Sequence, residues 1–173
     1  MKKKRPHYLV DGYNLMHVWE DLRVDDLAAA RDFLIRNLHE YGAYEKLEIT
    51  LVFDAARSED EERVEVYDDF FRVVYSACNE TADNVLERLS YEQVQRKREV
   101  HVVSSDAIIE TVILGAGAYR HPSREFYRAI VQMKKFLRKK YLDDVMLPVV
   151  RNEVGDRLGA DVFAKLEKLR RAK

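Results

Sequence analysis

Residues 8–11 read Tyr-Leu-Val-Asp (YLVD), a short apolar run that ends in an acid. Short apolar runs bounded by polar residues predict strands buried in a sheet. Three further stretches share this character: LEITLVFD at residues 47–54, FFRVVYSA at residues 70–77 and VHVVS at residues 100–104. Helical patterns lie between them at residues 27–41 and 81–98. This alternation predicts an α/β fold with a mainly parallel sheet covered by helices.

The last third of the chain has a helical pattern. Three helices are predicted there, at residues 108–114, 122–141 and 158–171. Gly115 is expected to end the first of them, and residues 142–159 are expected to connect the last helix rather than to separate two domains. We therefore expect one domain over residues 1–173.

The composition limits the class of protein. The chain has 173 residues, of which 47% are hydrophobic, and this is enough for one core. Its single cysteine, Cys78, excludes an intramolecular disulfide and a cysteine-rich zinc site, and we expect it to be buried. The sequence has no signal-peptide pattern and no apolar stretch of about 18 residues. These features predict a cytoplasmic protein with no membrane partner.

Acidic residues follow the predicted strands. Asp11 ends the first strand, Asp54 ends the second, and Asp106 follows a third. Asp83 lies in the first turn of a predicted helix, and Glu80 precedes it by three residues. Because the carboxyl ends of parallel strands meet at one edge of a sheet, we expect Asp11, Asp54 and Asp106 to converge.

Converging carboxylates repel one another, by roughly 1 kcal/mol in water at about 4 Å and by about 4 kcal/mol in a partly buried cleft. Such a group takes up protons or holds a cation. Carboxylate oxygens without histidine or cysteine neighbours suit Mg²⁺ or Mn²⁺, which also bind phosphate oxygens. The acids therefore predict metal-assisted phosphodiester chemistry.

Each of these polar residues also has a structural interpretation. An acid after a strand is often a helix cap or a turn residue, and Asp54 is the strongest candidate for a purely structural role. Asn14, one helical turn beyond Asp11, either forms a local turn or positions Asp11 and a water molecule.

Several motifs occur in the order found in a known family: LVDGYNLM at residues 9–16, LVFDA at 51–55, NETADNVLERL at 79–89, VVSSD at 102–106, LGAGAYRHPSREF at 114–126 and FAKLEKLRR at 163–171. In combination they resemble the NYN-domain branch of the PIN-like ribonucleases, in the YacP-like bacterial group. The resemblance covers nearly the whole chain.

This resemblance implies a three-layer PIN-like fold and a metal-dependent endoribonuclease. It implies that Asp11, Asp83 and Asp106 hold Mg²⁺ or Mn²⁺, with Asn14 beside them. Members of the group are associated with ribosomes and cut messenger RNA in the aminoacyl-tRNA site during translation, so messenger RNA and the ribosome are the expected partners. We expect Asp54, Glu80 and Asn14 to orient ligands or water.

Charge is segregated along the chain although the net charge is −1. Residues 54–69 contain eight acids and two bases, whereas residues 119–140 contain eight bases and one acid. The acidic stretch is either a solvated loop or a surface that faces basic protein. In the basic stretch, helical periodicity places the cationic residues opposite the apolar Phe126, Ile130 and Met133.

A basic helix face is commonly no more than solvated. Tyr119 and Tyr127, however, add aromatic planes that suit unstacked RNA bases, next to cations that suit phosphates. We therefore predict an RNA-binding set consisting of Arg120, His121, Arg124, Arg128, Lys135 and Lys139. No phosphate-binding Walker loop is present, and we expect no organic cofactor.

Two other functions remain possible from the sequence. An aspartyl-phosphate phosphatase also begins with an acid at the end of its first strand, but its chemistry requires a second Asp two positions later, where this chain has Tyr13. A non-catalytic adaptor that binds RNA or the ribosome would use the acids as caps or as ligands of a structural ion.

Overall fold

The computed structural model describes residues 4–20, 22, 26–54, 61–106 and 113–145. The chain divides into two compact units, Met1–Met133 and Lys134–Lys173, and the sheet lies in the first. The predicted terminal helix lies outside the described residues. So do most of the predicted connector and most of the predicted apolar helix before Gly115. A single domain over the whole chain stays a prediction.

Six strands form one sheet: β1 (His7–Asp11), β2 (Glu48–Phe53), β3 (Arg63–Val66), β4 (Phe71–Tyr75), β5 (Val100–Val103) and β6 (Tyr119–His121). Their order across the sheet is β3-β4-β2-β1-β5-β6. Among the described strands, every neighbouring pair is parallel except β3 with β4. In the central register Leu9 pairs with Thr50 on one side and Val102 on the other. The predicted, mainly parallel α/β fold is confirmed.

The sequence patterns do not predict β3 and β6. Both are short strands at the edges of the sheet, and most of their residues are exposed or half-buried. Edge strands do not need an apolar run, because one of their sides faces solvent. β3 also shows that the acidic stretch is not only a loop, since its second half pairs with the sheet.

Four helices lie wholly within the described residues: α1 (Gly12–Val18), α2 (Leu27–Glu45), α3 (Ala82–Gln95) and α4 (Ser123–Val145). α2 is terminated by Lys46, the residue after its last one, which has the left-handed φ of 58°. α3 begins after Thr81, whose hydroxyl accepts a hydrogen bond from the Asn84 backbone N–H. Residues 113–116 are helical, so the predicted end at Gly115 is wrong; the chain turns at Gly117, where φ is 87°.

One face of the sheet packs against α3. Leu9 and Val102 lie on this face and form a buried cluster with Val85 and Leu86 of the helix. Burial of each such side chain contributes about 1.5–3 kcal/mol. This packing fixes α3 on the sheet and, with it, the position of the acid at the start of the helix.

The opposite face of the sheet packs against α2 and the first turns of α4. Tyr8 and Leu9 are adjacent in β1, so their side chains point to opposite faces of the sheet. The Tyr8 ring stacks on the ring of Phe126, with 5.6 Å between the ring centroids. The Phe126 ring also meets Tyr41 of α2 edge-on at 5.4 Å. Helices therefore cover both faces of the sheet, in three layers.

Candidate functional site

Four carboxylates lie where the central strands end, and we refer to them as the acid edge: Asp11, Asp54, Asp83 and Asp106. Asp11 is the last residue of β1, Asp54 follows β2, Asp106 follows β5 and Asp83 is the second residue of α3. Since β2, β1 and β5 are adjacent and parallel, their carboxyl ends share one edge of the sheet. Four of the six predicted catalytic residues therefore share this edge.

The Asp11 carboxyl is the most buried member of the acid edge, with 8% of the residue exposed. Burial raises its pKa from 3.8 to about 6. The backbone N–H groups of Asn14 and Tyr13 donate hydrogen bonds to it and act in the opposite direction, while the charges of Asp83 and Asp54 raise the pKa further. The site therefore tolerates negative charge poorly at this position.

Asp83 is subject to the same repulsion. Burial raises the pKa of its carboxyl, and the charges of Asp106 and Asp54 raise it further. The acid edge thus concentrates negative charge that protons or a cation would relieve.

The donor set fits a hard divalent ion, because the acid edge offers carboxylate oxygens alone. Within residues 4–20, 22, 26–54, 61–106 and 113–145, however, no three His, Cys, Asp or Glu side chains stand together closely enough to hold an ion. Mg²⁺ usually keeps several of its waters and binds proteins through one or two carboxylates, so a direct three-carboxylate shell is not required.

Asp54 links β2 to α3. Its Oδ1 accepts a hydrogen bond from the Ala82 backbone N–H at 2.6 Å, at the first residue of the helix. This bond satisfies a helix N–H that has no partner within the helix. Asp54 therefore has the predicted structural role, and the same contact fixes the turn that carries Asp83.

Asn14 connects three parts of the chain. Its backbone N–H donates to Asp11 Oδ1 at 2.9 Å, which starts α1. Its side-chain Oδ1 accepts from the Ser105 backbone N–H at 3.1 Å and from the Ser123 hydroxyl at 2.6 Å. Ser123 in turn donates from its backbone N–H to Ser105 Oγ at 3.2 Å. Asn14 is thus more than a local turn former, since it ties β1 to the loop after β5 and to α4.

Glu80 is held by an ion pair. Its Oε1 lies 3.3 Å from Nε of Arg88, which also pairs with Glu62 at the start of the β3 hairpin. The contacts of Glu80 are therefore those of a side chain that fixes the segment before α3, and its predicted role in orienting ligands stays a prediction.

The Asp-Gly-Tyr turn after β1 is shaped by Phe53. A Cβ atom at Gly12 would overlap the Phe53 ring, so the close approach of α1 to β2 requires glycine. Tyr13 meets the same ring edge-on at 5.2 Å. The position at which a phosphatase needs a second Asp is therefore occupied by a packing residue.

The predicted RNA-binding residues lie on two elements. Arg120 and His121 are half-buried in β6, whereas Arg124 and Arg128 are exposed on the first turns of α4. The Ile130 side chain on the opposite side of α4 is buried, as the periodicity predicts. Lys135 and Lys139, the remaining two, are exposed on the part of α4 that belongs to the second unit.

Two aromatic predictions have different outcomes. Tyr119 is 59% exposed and stacks on His101 at 5.0 Å, so its ring is accessible. The prediction that Tyr127 offers a plane to RNA bases is wrong, because it is 7% exposed and packs 5.1 Å from Trp19. His121 shares a hydrogen bond with His101, and burial, followed by the His101 charge, lowers the pKa of its imidazole.

Sequence reasoning missed two residues of the site and misjudged the burial of one residue outside it. Ser105 and Ser123 complete the network around Asn14, but serines give no periodic or charge signal, and their contacts span 91 and 109 residues of chain. The expectation that Cys78 is buried is wrong, since it is exposed in the turn between β4 and α3.

The chain is similar to known proteins and structures. The family model of the YacP-like NYN domain matches residues 8–171. The Bacillus subtilis protein YacP, described as uncharacterized, is 31% identical over 141 residues, which cover 76% of this chain and 79% of that one. The crystal structure of Rae1 (YacP) from Bacillus subtilis is 28% identical, with a TM-score of 0.65 and coverage of 95% and 94%. A structure of a mutant of the same protein has 29% identity, a TM-score of 0.66 and coverage of 81% and 83%.

No helix in the described part of the chain combines the length and the apolar character that crossing a bilayer requires.

Proposed function

The chain belongs to the YacP-like NYN domain family, which implies a nuclease-like function related to RNA, and from this premise we propose that it is a metal-dependent endoribonuclease. In this proposal it hydrolyses phosphodiester bonds of messenger RNA in the ribosomal A site, in the cytoplasm. The observation that carries the proposal is the acid edge, where carboxylates from separate strands and from α3 repel one another.

In this proposal Asp11, Asp83 and Asp106 hold Mg²⁺ or Mn²⁺, in part through water. When bound, such a cation offsets charge on phosphoryl oxygens and lowers the pKa of water. Asp11 and Asp83 would supply the negative charge that attracts it, because a nearby positive charge would relieve the repulsion between them. Asp54 holds the start of α3, so that Asp83 keeps its place at the edge.

RNA contact is supported by the exposed cations of the first unit. Arg124 and Arg128 extend from the first turns of α4, the helix whose first residue is bonded to Asn14. Each cation that neutralises a phosphate releases condensed counterions, so RNA affinity is expected to fall steeply as salt rises. The A-site preference rests on the group that the motifs resemble, and it is tested separately below.

The test uses the purified protein and a messenger RNA, with Mg²⁺, with Mn²⁺ and with a chelator. We expect cleavage with either ion, none with the chelator, and a loss of at least about 100-fold in Asp83→Asn, because a neutral amide neither attracts the cation nor offsets its charge. Asp32→Asn is the matched control, since Asp32 is an exposed carboxylate on α2. Equal cleavage by Asp83→Asn and the parent would refute the assignment.

A non-catalytic adaptor is the second candidate, and it is favoured by the absence, among the described residues, of three side chains placed to hold an ion directly. An adaptor would bind the RNA without cutting it under every ionic condition. Adding translating ribosomes to the same assay tests the finer proposal: cleavage that is much faster in their presence supports the A-site substrate, and cleavage no faster than that of free RNA contradicts it.

A further inference from the structure

The orientation of the Asn14 side-chain amide is fixed by a backbone group. The Ser105 backbone N–H contacts one terminal atom of this amide at 3.1 Å. A backbone N–H can only donate, so the atom that it contacts is the oxygen, and the usual ambiguity between amide oxygen and nitrogen does not arise. The amide nitrogen, Nδ2, is therefore on the other side.

Both lone pairs of the Asn14 oxygen are used. Ser105 N–H takes one, and the Ser123 hydroxyl, at 2.6 Å, takes the other. A carbonyl oxygen has two such sites, so Asn14 has none left for a cation. Its two Nδ2 donors remain, and no hydrogen bond joins them to another residue among those that the structure describes.

Asn14 is bonded to one acid and to the neighbour of another. The Asn14 backbone N–H donates to Asp11, and the Asn14 side-chain oxygen accepts from the backbone N–H of Ser105, the residue that precedes Asp106. In such surroundings a neutral N–H pair is suited to an anion, which the neighbouring carboxylates would otherwise repel. In RNA the anionic group is the phosphate.

We infer that Asn14 donates from Nδ2 to a non-bridging phosphate oxygen of the RNA strand, and that Ser123 is the positioning residue that holds the amide in this orientation. The inference rests on the proposed endoribonuclease function and adds to it a substrate contact and a residue behind that contact. Ser123 is fully buried at the first position of α4, and its own backbone N–H is bonded to Ser105 Oγ. The three residues thus form a closed ring of hydrogen bonds that α4 packs into place.

The first test removes the hydroxyl. Ser123→Ala is expected to lower kcat/KM for RNA cleavage roughly three- to tenfold, the effect of losing one hydrogen bond. Ser90→Ala is the matched control, because Ser90 is another fully buried serine, bonded to the Glu87 carbonyl on α3, outside this network. It should cleave as the parent does. Circular dichroism checks that each variant is folded.

The second test separates positioning from a general effect on the fold. In an Asn14→Ala background the amide is gone, so adding Ser123→Ala should change kcat/KM no further. If Ser123→Ala lowers cleavage equally in both backgrounds, Ser123 does not act through Asn14 and the inference is overturned.

The third readout does not depend on activity. In ¹⁵N-labelled protein the two Nδ2 proton resonances of Asn14 should shift in Ser123→Ala and stay unchanged in Ser90→Ala. Unmoved resonances would overturn the positioning role. A parent protein that cuts no RNA would overturn the proposed function and this inference with it, whereas a parent that cuts as fast as Ser123→Ala would overturn the inference alone.

Discussion

Replacing Asp11 by Asn should stabilise the protein while it removes a carboxylate from the acid edge. The folded protein raises the pKa of Asp11 from 3.8 to about 6, chiefly by burial. The ionised carboxylate therefore costs the folded state about 3 kcal/mol at pH 7. An Asn oxygen still accepts from the Asn14 backbone N–H, and weakening of the contact with the Tyr13 N–H costs at most about 1 kcal/mol. The expected net gain is about 2 kcal/mol.

The stability difference between Asp11→Asn and the parent should depend on pH. Because the folded-state pKa lies above the unfolded value, the folded parent binds the proton more tightly, and its penalty is complete only above about pH 6. The penalty declines as the pH falls from about 6 towards 3.8. The advantage of Asp11→Asn should therefore be largest at pH 7 and nearly gone by about pH 4.

Urea and thermal unfolding in a metal-free buffer measure this difference. For a chain of this length, about 2 kcal/mol corresponds to a rise in Tm of roughly 4–8 °C. Asp32→Asn, on the exposed surface of α2, should stay within about 0.5 kcal/mol of the parent. A variant no more stable than the parent at pH 7, or equally stabilised at pH 4, would refute the reasoning about the acid edge.

Three further predictions follow from packing, capping and charge. Gly12→Ala should lower the free energy of unfolding by about 1–3 kcal/mol, measured in urea, because the added methyl group overlaps the Phe53 ring; unchanged stability would contradict that contact. Asp54→Ala should lower the free energy of unfolding by about 1 kcal/mol and reduce RNA cleavage. Asp54→Asn keeps an oxygen that can accept from the first N–H of α3, so it should be less destabilising. Equal losses of stability in the two variants would contradict a capping role for Asp54. Arg128→Ala should weaken RNA binding and make the slope of log affinity against log salt shallower by the amount that corresponds to one phosphate contact. Arg36→Ala, on α2, should leave both the affinity and the slope unchanged. Filter-binding titrations at several salt concentrations test this.

The apolar runs of the sequence were sufficient to predict the four inner strands. The predicted strand at residues 47–54 is observed at Glu48–Phe53, and the predicted helix at residues 81–98 is observed at Ala82–Gln95. Buried parallel strands produce this pattern because both of their faces are covered. The edge strand Arg63–Val66 is mostly exposed and carries no such signal, so the sequence pattern alone does not predict it.

The sequence predicts only those features of the acid edge that depend on strand order and direction. Acids at the ends of parallel strands must share an edge, and Asp11 and Asp54 lie where that rule places them. The hydrogen bond from Ser123 to Asn14 could not be predicted, because it depends on how α4 packs rather than on any local pattern. The burial of Tyr127 has the same origin, since its ring lies against Trp19 in the folded chain.

A crystal of the protein soaked in Mn²⁺ tests the central claim most directly. The anomalous signal of manganese locates the ion without reference to any assay of activity. We expect a peak at the acid edge, with the carboxylates of Asp11, Asp83 and Asp106 contacting the ion or its waters, and no such peak in Asp83→Asn. Manganese bound elsewhere, or an acid edge that stays free of the ion at millimolar concentrations, would contradict it.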